Sequence, residues 1–342
     1  MIKFRFLLLV SLLSFLTGCS QQNESKKIPE KLNGLSFVAS PNAVEQPHID
    51  PVLQINANTT AVMPFGFIRN LAEPEIIHNT DRQWFGETAT GAKQYIEKLH
   101  ANNLSVMMKP QIWIWRGEFT GFLKMTTEED WKVLESSYRK FIMTYARLAE
   151  ELDVAVFCIG TELEQFIVHR PEYWNILISE IKQVYKGKLT YAANWDEYKR
   201  VPFWKELDYI GVDAYFPVSE NKTPTVEDAR QGWQQWKGEM LGVSEAMDRK
   251  ILFTEYGYRS VDFAGKEPWK SDRNMTTVNL EAQANLTQAL FEEVYHEPWF
   301  AGGYIWKWFI SHDKAGGAEN NQFTPQNKPV EALIRQHFKT VE

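Results

Sequence analysis

VAVFCIGTE (154–162) and the shorter ILFTE (251–255) are the two stretches that decide how this chain is interpreted. Both are short apolar runs rich in β-branched and aromatic residues, which is the pattern of strands buried on both faces. Each run ends in a glutamate, although an ionised carboxylate loses much of its solvation at such a position. Glu162 and Glu255 therefore suggest one site built from two strand ends. The pair fits cleavage of a glycosidic bond, which usually needs two carboxyl groups flanking that bond. For each acid alone, contact with water or a lysine at a strand end is the alternative.

Short apolar runs alternate with helical patterns along the rest of the chain. The predicted strands are 35–39, 61–69, 105–113, 154–162, 188–194, 209–215, 251–255 and 302–308. The predicted helices are 91–102, 127–152, a segment opening at Pro171, 227–247, 280–295 and 330–338. Eight such units over roughly 300 residues predict an α/β fold, a single-domain (β/α)₈ TIM barrel, rather than an open doubly wound sheet.

In a barrel of this kind the active site lies at the carboxyl ends of the strands. Polar side chains occupy those positions here. They are Arg69, Gln111, Glu162, Asn194, Tyr215, Glu255 and Lys307. This coincidence supports a site at the barrel mouth.

The N-terminus predicts a targeting segment. Lys3 and Arg5 precede a short apolar stretch, and Leu16-Thr17-Gly18-Cys19 ends it. This pattern resembles a bacterial lipoprotein signal, with residues 1–18 removed and Cys19 lipidated. Residues 19–30 are polar and predict a flexible tether to a catalytic domain spanning 31–342. Because Ser20 rather than Asp follows the cysteine, we expect an outer-membrane lipoprotein of a Gram-negative-type bacterium, facing either the periplasm or the cell surface.

Charge and composition narrow the class of partner. Removal of residues 1–18 leaves 35 of the 37 basic residues against 44 acidic ones, and a net charge of about −9 argues against nucleic acid as a partner. The remaining Cys158 has no disulfide partner, and the seven His show no metal-ligand spacing. No Gly-rich phosphate loop is present. We therefore expect no cofactor and no metal, and a monomer. Aromatic residues make up 14% of the chain, with 13 Trp, which suits stacking on sugar rings.

Several motifs resemble the strand ends of clan A glycoside hydrolases. They are GTELEQF (160–166), LDYIGVDAYFP (207–217), LFTEYGY (252–258) and GGYIWKWF (302–309). KPQIWIW (109–115) and YAANWDEY (191–198) make the chain most similar to glycoside hydrolase family 113, the β-1,4-mannanase family. The similarity runs from about Leu35 to Phe309.

The resemblance implies a role for each glutamate. Glu162, on the fourth strand, would be the general acid/base, and Glu255, on the seventh, the nucleophile of a retaining mechanism. Tyr215 would hold the nucleophile through its hydroxyl. Arg69 either adds a positive charge beside it or forms a surface ion pair, and the ion pair is slightly favoured. Glu164 competes for the acid/base role, but Glu162 is preferred because it continues the alternation of the strand.

The expected sugar-binding residues surround this pair. Trp306 is implied as the platform beneath the sugar; the other candidates are Lys109, Gln111, Trp113, Asn194, Trp195, Arg69, Tyr256 and Trp308. Thr161 replaces the Asn that most of the clan has before the acid/base, so Asn194 is the candidate for contacting the substrate 2-hydroxyl. This is compatible with the axial 2-hydroxyl of mannose.

Three functions stay open. The first is an endo-β-1,4-mannanase. The second is a β-glucanase or another clan A β-glycosidase with the same mechanism. The third is a non-catalytic glycan-binding lipoprotein. The presence of both glutamates and Tyr215 argues against it, because a binding protein gains nothing from these residues.

Overall fold

The computed structural model describes residues 28–271 and 276–339. The predicted signal peptide, Cys19 and residues 19–27 of the tether lie outside this part. The strands are β1 (Leu32–Phe37), β2 (Thr59–Val62), β3 (Phe65–Ile68), β4 (Ser105–Met108), β5 (Gln111–Ile114), β6 (Val156–Thr161), β7 (Lys188–Asn194), β8 (Tyr209–Asp213), β9 (Lys250–Tyr256) and β10 (Phe300–Trp308). The helices are α1 (Gln46–Gln54), α2 (Ala89–His100), α3 (Glu128–Glu151), α4 (Glu164–His169), α5 (Pro171–Val184), α6 (Val226–Met247), α7 (Leu280–Leu290) and α8 (Pro329–Phe338).

Eight of these strands close into a barrel in the order β1-β10-β9-β8-β7-β6-β4-β2, and every neighbouring pair is parallel. The helices surround the barrel, which confirms the predicted (β/α)₈ fold. The sequence patterns did not indicate α1 or the short α4, which lies just after Glu162. Helix α3 begins as predicted, because the Thr127 hydroxyl accepts a hydrogen bond of 3.1 Å from the Asp130 N–H.

Two predicted strands, 61–69 and 105–113, are each broken at a proline. Pro64 and Pro110 have no N–H to donate to a ladder, so β2 and β4 end before them. The chain then forms a separate two-stranded sheet in which β3 pairs with β5, with Phe65 opposite Gln111. The second and third barrel strands are therefore four residues long, and this small sheet extends beyond the barrel mouth.

The core has two parts. A large apolar layer fills the space between the barrel and its helices. The barrel interior is filled mainly by small or medium side chains; its members are Leu32, Ala61, Met107, Val156, Cys158, Ala192, Leu252, Ala301 and Tyr304. In the described part of the chain, no helix has both the length and the apolar character needed to cross a membrane.

Close packing between barrel strands predicts a stability effect at Gly211 in β8. A methyl group there would lie 2.1 Å from the Tyr191 carbonyl oxygen of β7, so a shift of the backbone is required. We expect Gly211→Ala to lower the free energy of unfolding by about 1–3 kcal/mol, measured by thermal and denaturant unfolding. Gly242→Ala is the control: it lies on the exposed side of α6 with no atom within 4 Å, and alanine there should stabilise by up to about 1 kcal/mol. Equal effects of the two substitutions would contradict the prediction.

Candidate active site

A fully buried lysine lies at the centre of the barrel mouth. Lys109 directly follows β4, and Pro110 then diverts the chain away from the barrel. Its Nζ donates to Asp213 Oδ1 and Oδ2 at 3.0 and 3.2 Å and to Glu255 Oε1 at 2.6 Å. The expectation that Lys109 binds sugar hydroxyls is therefore wrong, because its side chain is 0% exposed and its donors are used by two carboxylates.

Three donors hold the Glu255 carboxylate. Besides Lys109, Gln111 Nε2 donates to Oε1 at 2.9 Å, and the Tyr215 hydroxyl donates to Oε2 at 2.8 Å. Tyr215 thus contacts Glu255 as the resemblance implied. Gln111 also contacts this carboxylate, where a sugar contact had been expected. Hydrogen bonds of this kind favour the ionised form of a carboxyl group.

Arg69 does not lie where the sequence placed it. It follows β3, which belongs to the small sheet outside the barrel, and its side chain is exposed. The positive charge beside Glu255 comes from Lys109 instead. The error has the same origin as the broken strands: Pro64 ends the second barrel strand five residues before Arg69.

Glu162 lies one residue beyond β6 in a left-handed backbone conformation, with φ = 49°. Glu162 therefore does not continue the side-chain alternation of β6, which was the reason for preferring it to Glu164. A residue with a Cβ atom pays about 1–2 kcal/mol in this region, and such outliers concentrate at functional sites. The Glu162 N–H donates to the Ala192 carbonyl of β7 at 2.8 Å. None of the described residues donates a hydrogen bond to the Glu162 carboxyl group.

Burial raises the pKa of Glu162 well above its usual range, and the charges of Asp213 and Glu255 raise it further, against the opposing charge of Lys109. Burial and Glu255 raise the pKa of Asp213 to about 7. For Lys109, burial lowers the pKa, but Asp213 and Glu255 outweigh it and the net shift is upward. The Lys109 ammonium bonds to Asp213 and Glu255, whereas Glu162 has no donor among the described residues, an environment that favours its protonated form.

The competing acid Glu164 has a different environment. It opens α4 and forms an ion pair with the Arg200 guanidinium, whose Nε donates to its Oε1 at 2.7 Å. It therefore has a cation of its own at the protein surface, whereas none of the described cations forms an ion pair with Glu162.

Asn194 is the last residue of β7, and its Oδ1 accepts a hydrogen bond from the Trp195 N–H at 2.7 Å. The Thr161 hydroxyl is buried, so it does not reach the open part of the site.

The aromatic candidates divide into two groups. Trp306 is partly exposed near the end of β10, with the Lys307 ammonium 5.4 Å from its ring centroid, and Trp113 on β5 is 50% exposed. Trp195 is partly exposed and stacks on Trp269 with ring centroids 5.1 Å apart. Tyr256 and Trp308 are buried in the core, so they are not available as flanking subsites.

Sequence reasoning missed three features of the mouth. Trp84, 54% exposed, lines a cavity of about 400 Å³ with Phe309 and the residues that follow β1. Lys307 was noted only as a strand-end residue, and burial lowers its pKa. Glu197 is a buried carboxyl group behind Glu162 and Asn194. No sequence signal separated Trp84 and Glu197 from ordinary loop residues. Among the described residues, no group of His, Cys, Asp or Glu side chains is arranged to hold a metal ion.

Comparison with solved structures identifies similar barrels. One is the GH113 β-mannanase AaManA from Alicyclobacillus acidocaldarius in complex with ManMIm, with 23% identity and a TM-score of 0.78, covering 91% of this chain and 97% of that one. A second GH113 β-1,4-mannanase has 20% identity and a TM-score of 0.78, covering 91% and 99%. A Faecalibacterium prausnitzii β-glucuronidase has 15% identity and a TM-score of 0.62, covering 91% of this chain and 49% of its own.

The family comparison is more specific. None of the curated proteins compared matches the chain significantly. The model of Glycoside Hydrolase Family 113 matches residues 42–328, which is most of the chain and contains every proposed catalytic residue. The predicted family is confirmed: this chain belongs to glycoside hydrolase family 113.

Proposed function

We propose that this glycoside hydrolase is a retaining endo-β-1,4-mannanase with Glu162 as general acid/base and Glu255 as nucleophile. The observation that carries the proposal is the unequal environment of the two carboxyl groups. Glu255 receives hydrogen bonds from Lys109, Gln111 and Tyr215, whereas Glu162 receives none from the described residues and has a raised pKa. Two carboxyl groups with opposite protonation are what glycoside hydrolysis requires. The β-mannanase names of the two similar family 113 structures support mannan as the substrate.

The reaction can be derived from these environments. Protonated Glu162 donates its proton to the leaving oxygen while Glu255 attacks the anomeric carbon, so the glycosidic bond breaks and a glycosyl ester forms. Glu162, now ionised, takes a proton from water, and the resulting hydroxide breaks the ester at the anomeric carbon. The product retains its configuration, and both carboxyl groups return to their initial states. We infer that Asn194, at the end of β7, contacts the 2-hydroxyl of the reacting sugar.

The direction of the bound chain depends on the order of the barrel strands. The leaving group must lie on the side of Glu162, which lies just beyond β6. Trp306 is on β10, opposite β6 in the closed barrel, so the glycone lies over it and leads toward the cavity beside Trp84. On the other side, Trp115 is 67% exposed in the loop after β5, and that loop packs on α4 next to Glu162. Aromatic surfaces on both sides of the bond suit an internal cut.

Neutral replacement of either glutamate tests the chemistry. We expect Glu162→Gln to reduce kcat/KM on mannan by about 10²–10⁴-fold, and Glu255→Gln by at least as much, because each removes a proton donor or a nucleophile while keeping the shape. Glu164→Gln is the matched control, since it loses only a surface ion pair and should remain active. Activity is measured on mannan, glucomannan, cellulose and mixed-linkage glucan, and NMR of the first product follows its anomeric configuration.

Each outcome of that panel has a meaning. Full activity of Glu255→Gln would refute the nucleophile, and an inverted first product would refute retention. A preference for glucans would mean that the substrate is a β-glucan and not mannan. Binding without hydrolysis by the unaltered protein would indicate a glycan-binding function.

The two aromatic surfaces predict dependence on chain length. Trp84→Ala and Trp115→Ala should each raise KM for manno-hexaose by about 2- to 10-fold, the worth of one aromatic contact, with smaller effects on mannotriose. Ile176→Ala is the control, because it removes an equally exposed apolar side chain (62% exposed) from α5, outside the mouth. Equal effects on short and long substrates would argue against subsites at these positions.

We further propose that Cys19 carries a lipid that anchors the enzyme, as a monomer, to the outer membrane. The signal-like N-terminus supports the anchor. In the native type of host, Cys19→Ala should abolish labelling by an alkyne fatty acid and move activity out of the membrane fraction. Ser20→Ala is the control and should remain in the outer-membrane band of a density gradient. Unchanged membrane association of Cys19→Ala would contradict the proposal.

A further inference from the structure

Glu197 is a buried carboxyl group for which the proposed reaction has no role. It lies in the loop after β7 and is 2% exposed. The neighbouring cations are engaged elsewhere, Lys199 with Glu239 and Arg200 with Glu164. A carboxyl group buried without a contacting cation is costly, so its presence points to a specific use.

Both oxygens of Glu197 accept hydrogen bonds. The Tyr191 hydroxyl donates to Oε1 at 2.8 Å, and the Asn194 N–H donates to Oε2 at 3.0 Å. The Tyr191 oxygen in turn accepts from the Leu163 N–H at 2.5 Å. Because a backbone N–H can only donate, the single hydroxyl proton of Tyr191 is directed to Glu197, and the carboxylate needs to be an acceptor there.

This chain of hydrogen bonds ends at the residue after Glu162. The left-handed turn at Glu162 is held by two groups from consecutive residues of β7: the Ala192 carbonyl accepts from the Glu162 N–H, and the Tyr191 hydroxyl accepts from the Leu163 N–H. No hydrogen bond of the Glu162 side chain contributes among the described residues. The position of the Glu162 carboxyl group therefore depends on β7 and on the group that orients Tyr191.

We propose that Glu197 is a positioning residue for Glu162: through the Tyr191 hydroxyl it fixes the strained turn that carries the acid/base. With its other oxygen it fixes Asn194, so one carboxyl group aligns the proton donor and the end of β7 together. The inference rests on the proposed role of Glu162 as the acid/base.

The electrostatics agree with this geometry. The charged groups that face Glu162 are Asp213, Glu255, Lys109 and Glu197, and the charge of Glu197 is one of those that raise the pKa of Glu162. Glu197 itself is faced by Glu164 and Asp213, and burial raises its pKa to about 8 against the hydrogen bonds from Asn194 and Tyr191. At pH values where Glu197 is ionised, above its pKa of about 8, its charge opposes ionisation of Glu162, so loss of that charge lowers the pKa of Glu162. Because Glu162 must be protonated for the first step, the alkaline limb of kcat/KM then moves to lower pH.

Two substitutions test the network. In Glu197→Gln, the amide can accept from only one of the two donors, because its nitrogen faces the other. Tyr191→Phe removes one oxygen and keeps the ring in its packing. Tyr198→Phe is the matched control, since the Tyr198 hydroxyl is buried nearby and has no hydrogen-bond partner among the described residues.

The readout is kcat/KM on aryl β-mannosides of differing leaving groups, because kcat/KM reports the first chemical step. We expect both variants to lose about 10- to 100-fold on phenyl β-mannoside and mannan but less than about 3-fold on 2,4-dinitrophenyl β-mannoside, whose leaving group needs little protonation. In Glu197→Gln the alkaline limb should also shift downward. The control should match the unaltered enzyme on both substrates, and circular dichroism verifies folding of each variant.

The results separate this inference from the proposed function. Equal losses on activated and poor leaving groups, with an unchanged pH profile, would mean that Glu197 is merely structural. Glu162→Gln measured in the same series must show the same dependence on leaving group. If it does not, the acid/base assignment itself fails; if it does and the Glu197 and Tyr191 variants do not, only the positioning role is wrong.

Discussion

The buried ammonium of Lys109 is the interaction on which the rest of the mouth depends. It joins the end of the third barrel strand to Asp213 on the sixth and Glu255 on the seventh, with side-chain exposures of 0%, 1% and 9%. Removing charges from water costs several kcal/mol per ion, and attraction between them returns this only when the remaining donors and acceptors are satisfied. In this cluster the acceptors are satisfied. The Thr254 hydroxyl donates to Asp213 at 2.7 Å, and Gln111 and Tyr215 donate to Glu255. The cluster is better understood as fixing the position of the Glu255 carboxyl group in a dry site than as a source of stability.

The same cluster determines where a proton resides. Burial is the main cause that raises the pKa of Asp213 and of Glu162, and the charge of Glu255 raises both further, against the opposing charge of Lys109. Asp213 has Lys109 and Thr254 as donors, and its pKa rises only to about 7. Glu162 has no such donors among the described residues, and burial raises its pKa well above the usual range. The two glutamates at the mouth of one barrel therefore differ in environment, because Lys109, Gln111 and Tyr215 donate to Glu255 and no described residue donates to the Glu162 carboxyl group.

Much of the fold could be predicted from the sequence, because buried parallel strands leave continuous apolar runs that alternate with helical patterns. The breaks at Pro64 and Pro110 could also have been predicted, since proline is excluded from the interior of a central strand. The placement of Arg69 would then have been avoided. The burial of Lys109 could not be predicted, because it depends on contacts with residues 104 and 146 positions further along the chain, on two other strands. Glu197 looks like any acid in a polar loop, and only its enclosure by Tyr191 and Asn194 distinguishes it.

The left-handed turn at Glu162 explains why the neighbouring strand matters so much. A strand residue of regular geometry would point its carboxyl group along the alternation of β6, either into the barrel or toward the helices. Leaving the strand in a left-handed conformation directs the side chain differently, at a conformational cost that a glycine would not incur but that the proposed acid/base, a glutamate, does. A residue stays in this conformation only where contacts with its surroundings outweigh its own backbone preference. The Ala192 carbonyl and the Tyr191 hydroxyl supply this constraint from β7, so the geometry of the fourth strand end is set by the fifth strand.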